Sequence, residues 1–194
     1  MNTHSLPHTV YSCSRQQKIE DCLFDNLLKQ PYESIKVADL CRQQHISRKT
    51  FYDYFSSKNA CLQSYIDRVI REAILHTNTA VRDASDLQKS AVIFLNYWKQ
   101  QKDFLDIIKQ NNLYGLFFMQ HFNHFLSEEK TLLNFLDTPK VKSDPEIMNC
   151  YLMCILTLIL QWHYKNFDTP TEEVAIKFLR ILHEPMISLT KEET

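Results

Sequence analysis

Apolar residues recur every three or four positions along most of this chain, and polar breaks cut the pattern into helix-sized lengths. Ile19, Leu23, Phe24, Leu27 and Leu28 form a stripe that predicts a helix over about 14–29, ended by Pro31. Val37, Leu40 and Cys41 then mark one short helical face, and Ile46, Thr50, Phe51, Tyr54 and Phe55 mark a second. Leu62, Tyr65, Ile66, Val69, Ala73 and Ile74 keep a helical period to about Val81, with Ser56 or Ser57 available as its cap. Breaks at Asp86, Asp103, Asn111–Asn112, Thr138–Pro145 and Asp168–Thr171 divide the remainder into segments 87–101, 103–110, 113–136, 145–166 and 171–189. The pattern thus predicts an all-α chain with a group of short helices at its N-terminus and longer ones after it.

The two short faces in 34–55, joined by a tight turn, are laid out as a helix-turn-helix that reads DNA. Ser47 sits where the second helix starts, and its hydroxyl can accept from the unpaired N–H groups of the first turn. Arg48 and Lys49 follow that cap, so the end of the helix that already favours phosphate also carries two cations. Lys58 falls in the first turn of the next helix, where its charge opposes the helix dipole and a DNA phosphate would offset the conflict.

The run Ser47-Arg48-Lys49-Thr50-Phe51-Tyr52-Asp53-Tyr54-Phe55-Ser56-Ser57-Lys58-Asn59-Ala60-Cys61-Leu62 resembles the recognition segment of the TetR family of bacterial transcriptional repressors. The likeness covers about residues 15–72 at motif level. It implies a three-helix DNA-binding domain over 14–72, preceded by a flexible arm over 1–13 and followed by a helical ligand-binding and dimerisation domain over 73–194. It further implies groove contacts from Arg48, Lys49 and Asp53, and backbone contacts from Ser47, Thr50, Tyr52 and Lys58, with Lys36 a further phosphate partner. Three positions depart from the family pattern. His45 stands where glycine is usual, so either His45 is left-handed or the turn differs locally. Lys36 replaces the usual threonine cap of the first motif helix, leaving Ser34 as the nearest alternative, and Ala38 replaces a frequent arginine.

Composition narrows the function classes. One glycine among 194 residues leaves no material for a nucleotide-binding glycine loop, and no serine elbow or carboxylate pair suggests an enzyme. The net charge of −1 conceals a mild asymmetry: residues 1–72 carry ten Lys/Arg against eight Asp/Glu, the rest twelve against fifteen. The favourable field therefore lies with the motif. Six cysteines without a signal peptide or zinc-site spacing predict reduced thiols and a cytoplasmic protein. The longest apolar stretch, Ile147 to Leu160, is too short to span a membrane and suits a buried helix.

In the second half, Tyr114, Phe117, Phe118, His121 and Phe122, with Phe125 on the same segment, offer walls for an apolar or aromatic effector, and Trp98 and Trp162 supply further walls. Such a stripe is also the ordinary signature of packed core. His121, His124 and Glu128 share a helix face but lack a fourth ligand, so no metal and no cofactor is expected. A two-fold interface is expected from Leu152, Ile155, Leu156, Ile159, Tyr151, Cys154, Leu158 and Trp162, paired with Val174, Phe178, Ile181 and Leu182. Cys150 and Cys154, one turn apart among apolar neighbours, read as buried and inert rather than as an oxidant sensor. The resulting expectation is a homodimeric, effector-responsive repressor on a near-palindromic double-stranded operator. A helical protein-interaction module with a degenerate motif is the alternative from another class, and a thiol-based redox regulator a third.

Overall fold

In the computed structural model, which describes residues 10–81, 86–126 and 145–183, every regular element among the described residues is helical. The helices are α1 (Val10–Leu27), α2 (Val37–Gln43), α3 (Arg48–Tyr54), α4 (Lys58–Ala80), α5 (Leu87–Gln100), α6 (Lys102–Gln110), α7 (Tyr114–Leu126), α8 (Pro145–Tyr164) and α9 (Thr171–His183), with a 3-10 turn at Tyr32–Ser34. Helix α1 begins at Val10, inside the segment 1–13 expected as an arm. Residues 1–9 of that segment lie outside the described residues. The chain divides into two compact units, Met1–Arg68 and Val69–Thr194.

In the first unit, α1 buries Ile19, Cys22, Leu23 and Leu27, while α4 contributes Cys61, Leu62, Tyr65 and Ile66. Phe24 stacks on Tyr65 with ring centroids 4.8 Å apart. Polar groups on α1 are also buried, and each is satisfied. Glu20, 2% exposed, accepts from Arg68 Nε at 2.8 Å, Ser64 Oγ at 2.7 Å and Gln16 Nε2 at 3.1 Å. Arg68 also pairs with Asp21. Burial works against the Arg68 charge, but the hydrogen bonds and charges of Glu20 and Asp21 outweigh it and raise its pKa.

In the second unit, Phe94, Leu95 and Trp98 of α5, Phe104, Leu105 and Ile108 of α6, and Phe117 of α7 meet in one aromatic-rich core. Helix α9 packs against α5, with Phe178 and Phe94 centroids 6.2 Å apart and Thr171 Oγ1 donating to Asn96 Oδ1 at 2.9 Å. His163, buried at the end of α8, is 2.9 Å from Asp106 on α6.

Part of the surface named for a two-fold interface is spent inside the chain. Ile155, Leu156, Ile159, Trp162, Val174 and Phe178 are buried within a single chain. Cys150 and Cys154, expected in the core, are exposed instead. The reason lies in the register of α8. Its inward face is the Ile155, Ile159, Trp162 side, so the side carrying Cys150, Cys154, Thr157 and Gln161 points away from the core. The side chains of Tyr151, Leu152, Ile181 and Leu182, named for the same interface, lie outside the described residues.

Three helices end with the same device. At the ends of α2, α6 and α8, the residues His45, Asn112 and Asn166 have φ of 50°, 53° and 53°. Each donates its N–H back into the last turn, to Arg42 O, Lys109 O and His163 O, and the following residue donates to Cys41 O, Ile108 O and Trp162 O. These paired bonds are the Schellman ending, in which a left-handed residue lets the last carbonyls be satisfied. None of the three is glycine. The chain's single glycine, Gly115, lies within α7.

Candidate nucleic-acid interface

Helices α2 and α3 are seven residues each, too short to persist alone, so packing must hold them. Leu40 and Cys41 of α2 are buried, as are Phe51 of α3 and Phe55 just beyond it. A reciprocal pair fixes α2 to α1: Asn26 Nδ2 donates to Gln43 Oε1 at 2.8 Å, and Gln43 Nε2 donates to Asn26 Oδ1 at 3.2 Å. The turn between α2 and α3 resolves the choice left by the sequence, since His45 is left-handed and no other rearrangement is needed.

Ser47 caps α3 as expected. Its hydroxyl accepts from Thr50 N at 3.0 Å and lies 2.9 Å from Thr50 Oγ1. With Phe51 turned fully inward, the spacing i, i+1, i+4, i+5 brings Arg48, Lys49, Tyr52 and Asp53 together on the outward face of α3. Tyr52 is 54% exposed, unusual for an aromatic residue beside a packed one. Thr50 is half-buried, occupied by its contact with Ser47. Arg48, Lys49 and Tyr52 can donate to phosphate or base-edge acceptors, and Asp53 can accept.

The two expected lysine contacts differ in exposure. Lys36 is exposed at the N-terminus of α2 in extended backbone and makes no side-chain cap bond there. Ser34, the suggested alternative cap, belongs to the 3-10 turn instead. Lys58 is turned inward: its Nζ donates to Tyr32 O at 2.6 Å and Ile35 O at 2.9 Å and stands 3.9 Å from the Tyr32 ring centroid. Two of its three N–H groups are thereby committed. Burial lowers the Lys58 pKa and, with Glu33 and Cys61 nearby, pushes the Tyr32 hydroxyl up to about 12. Ser57, rather than Ser56, caps α4 by accepting from Ala60 N at 3.0 Å. Sequence reasoning missed Tyr32 altogether, although an aromatic residue just after Pro31 was a visible signal.

The expected effector walls separate. Trp98, Phe117 and Trp162 are core, with Trp98 and Phe117 centroids 5.9 Å apart and Trp162 Nε1 donating to Thr169 O at 2.9 Å. Tyr114 is half-buried and Phe122 is on the surface. Phe118 lines a groove of about 360 Å³ with Met153, Cys154, Thr157, Leu158 and Gln161. A second groove of about 480 Å³ lies beside Leu75, His76 and Tyr97. The side chains of His121, His124 and Phe125, and residue Glu128, lie outside the described residues. Among the described residues no group of three or more side chains could hold a metal ion, and no helix is long and apolar enough to cross a membrane.

Residues 27–65, which span the end of α1 through the first half of α4, match the family described as bacterial regulatory proteins, tetR family. The HTH-type transcriptional regulator EthR of Mycobacterium tuberculosis is 37% identical over 76 residues, 39% of this chain and 33% of that protein. An uncharacterized HTH-type transcriptional regulator, YxbF of Bacillus subtilis, is 40% identical over 52 residues, 27% of this chain and 14% of that protein. The aligned region thus spans about a third of EthR and less of YxbF. Over the whole fold, the dihydroxyacetone kinase operon activator DhaS superposes with a TM-score of 0.55 at 19% identity, covering 88% of this chain and 95% of DhaS. The capped helix α3 and the left-handed turn before it both lie in the matched segment: residues 27–65 match the tetR family of bacterial regulatory proteins.

Proposed function

We propose that this chain is a cytoplasmic, effector-responsive transcriptional regulator that binds a near-palindromic operator as a homodimer and represses by occupying it. The observation that carries this reading is the outward set Arg48, Lys49, Tyr52 and Asp53 on a helix whose start is fixed by Ser47. Two such helices entering successive major grooves require half-sites about 34–36 Å apart. Lys36 and Ser47 flank this set and serve as phosphate contacts. With Ile155, Trp162 and Phe178 spent inside one subunit, pairing draws on residues still exposed in the second unit, among which Ile176 of α9 is 49% exposed. An apolar or aromatic effector in the second unit would shift DNA affinity only if it binds the two states of the protein unequally.

Fluorescence anisotropy of the full chain on its own upstream DNA, against a scrambled duplex of equal length, tests the reading. A preference of about a thousandfold is expected for an operator. Arg48→Ala should weaken that complex by about 1–3 kcal/mol and relax specificity, whereas Tyr52→Phe should weaken all duplexes alike. Equal, weak binding to both duplexes, unaltered by either change, would instead favour a protein-docking module.

A further inference from the structure

The chain's single glycine stands where nothing inside the chain calls for it. Gly115 is exposed in the first turn of α7, its φ is not positive, and a Cβ added there would meet no atom within 4 Å. Alanine would fit the same backbone and suit a helix better. The space left bare is therefore open to a body outside this chain. Met119 and Phe122 follow at i+4 and i+7 on the same face of α7, and they are 54% and 39% exposed. Phe118, beside them, joins α7 to α8 through the groove it lines with Met153, Cys154 and Leu158. No Asp, Glu, Lys or Arg occurs in 111–127 or in 147–164. The other helices of the second unit expose charge, as at Arg71 of α4, Lys89 of α5, Lys102 of α6 and Glu172 of α9.

We propose that a second copy of this chain packs on the charge-free face of α7 and α8, with the two α7 helices antiparallel across a two-fold axis beside Phe118 and Met119. The inference rests on the homodimeric reading above and gives it a location. A two-fold contact sets a face against itself, so that residue i meets residue j and j meets i. A charged face would gather like charges in that arrangement, whereas this face has none to gather. Shape points the same way. Antiparallel pairing about the midpoint of 115 and 122 puts Phe122 of the partner subunit over Gly115 and, by the same operation, Gly115 of the partner subunit under Phe122. An apolar knob and the hole that receives it are thus carried on one helix, seven residues apart. Self-recognition needs both on the same surface, and a partner of another kind would need only one. One helix crossing is small beside the total of about 1,200–2,000 Å² that a stable interface buries. The outward side of α8, with Met153, Cys154, Thr157 and Gln161, continues the face and extends the area.

The test is sedimentation velocity on the full-length protein over a concentration series, with far-ultraviolet circular dichroism of every variant to check folding. Gly115→Lys and Phe122→Glu should each raise the dimer Kd by about a hundredfold or more, since each places an unpaired charge in the contact twice. The double variant Gly115→Lys with Phe122→Glu should recover most of that loss, because each lysine then faces a glutamate of the partner subunit. Within one chain the two positions are about 10 Å apart along the helix axis and do not pair. Gly115→Ala should keep the fold and weaken the dimer by about tenfold, a loss that a glycine serving only its own helix would not show. A wild-type dimer that both single changes leave intact, single variants that dissociate without recovery in the double variant, or an undiminished dimer in Gly115→Ala would each overturn the proposal and leave the homodimeric reading standing. A wild-type chain that stays monomeric would overturn both.

Discussion

The Lys58 ammonium lies 3.9 Å from the ring centroid of Tyr32 while donating to the backbone oxygen of that same residue at 2.6 Å. The start of α4 is thereby tied to the turn that follows α1, and the flanks of the reading helix are braced by a charge. Lys58→Met keeps the alkyl length and removes the donors. It should destabilise the first unit by about 1.5–3 kcal/mol, the usual scale for hydrogen bonds to a charged group, measurable by urea denaturation. If stability were unchanged but the salt slope of DNA binding fell by about one, Lys58 would be a phosphate contact and not a brace.

His45 holds a backbone conformation that costs an L-residue more than it costs glycine. His45→Gly should raise stability by about 0.5–1 kcal/mol and leave the α2–α3 turn intact. His45→Pro should do the reverse, since it imposes negative φ and deletes the N–H that bonds Arg42 O. Thermal melts of the two variants should move in opposite directions.

The buried Glu20 carboxylate accepts from the charged Arg68 and from the neutral donors Gln16 and Ser64. Arg68→Ala leaves that carboxylate without its counter-charge. A loss of about 3–5 kcal/mol is expected in chemical denaturation. Replacing both residues by apolar ones, Glu20→Leu with Arg68→Met, should recover much of it, because the cost lies in the uncompensated charge.

Asp106 on α6 faces His163 at the end of α8. Burial acts to raise its pKa, but hydrogen bonds from Lys102 and His163 prevail and hold it below the usual carboxylate value. A carboxyl so depressed stabilises the fold above its unfolded pKa, near 4, and that contribution disappears as pH falls through the lower folded value. The thermal midpoint of the wild type should therefore drop on acidification below about pH 4, and Asp106→Asn should flatten that limb. An identical acid limb in the variant would assign the effect elsewhere.

The helices and the reading face were legible because their signals are local. Ser47 followed by Arg48, a turn before it and Phe51 and Phe55 behind it specify a capped, half-buried helix with little help from the rest of the chain. What failed to show was which apolar neighbour each face meets. Ile155, Trp162 and Phe178 have the spacing of an interface helix and equally that of a core helix, and only the positions of α5 and α9 decide between them. Cys150 and Cys154 were misplaced for the same reason: apolar neighbours in sequence lie on other sides of the helix. The inward ties of Lys58 did not show in the sequence because its carbonyl partners are 26 and 23 residues away and carry no side-chain signal.

The glycine-free ends of α2, α6 and α8 carry a consequence for the unfolded chain. A glycine at 45, 112 or 166 would relax the helix end but enlarge the set of conformations that folding must give up. With His45, Asn112 and Asn166 the burden sits in the native backbone, while the disordered chain is left with fewer conformations to lose. A sequence with one glycine in 194 residues thus starts folding from a comparatively stiff ensemble, and part of its stability is set before any contact forms.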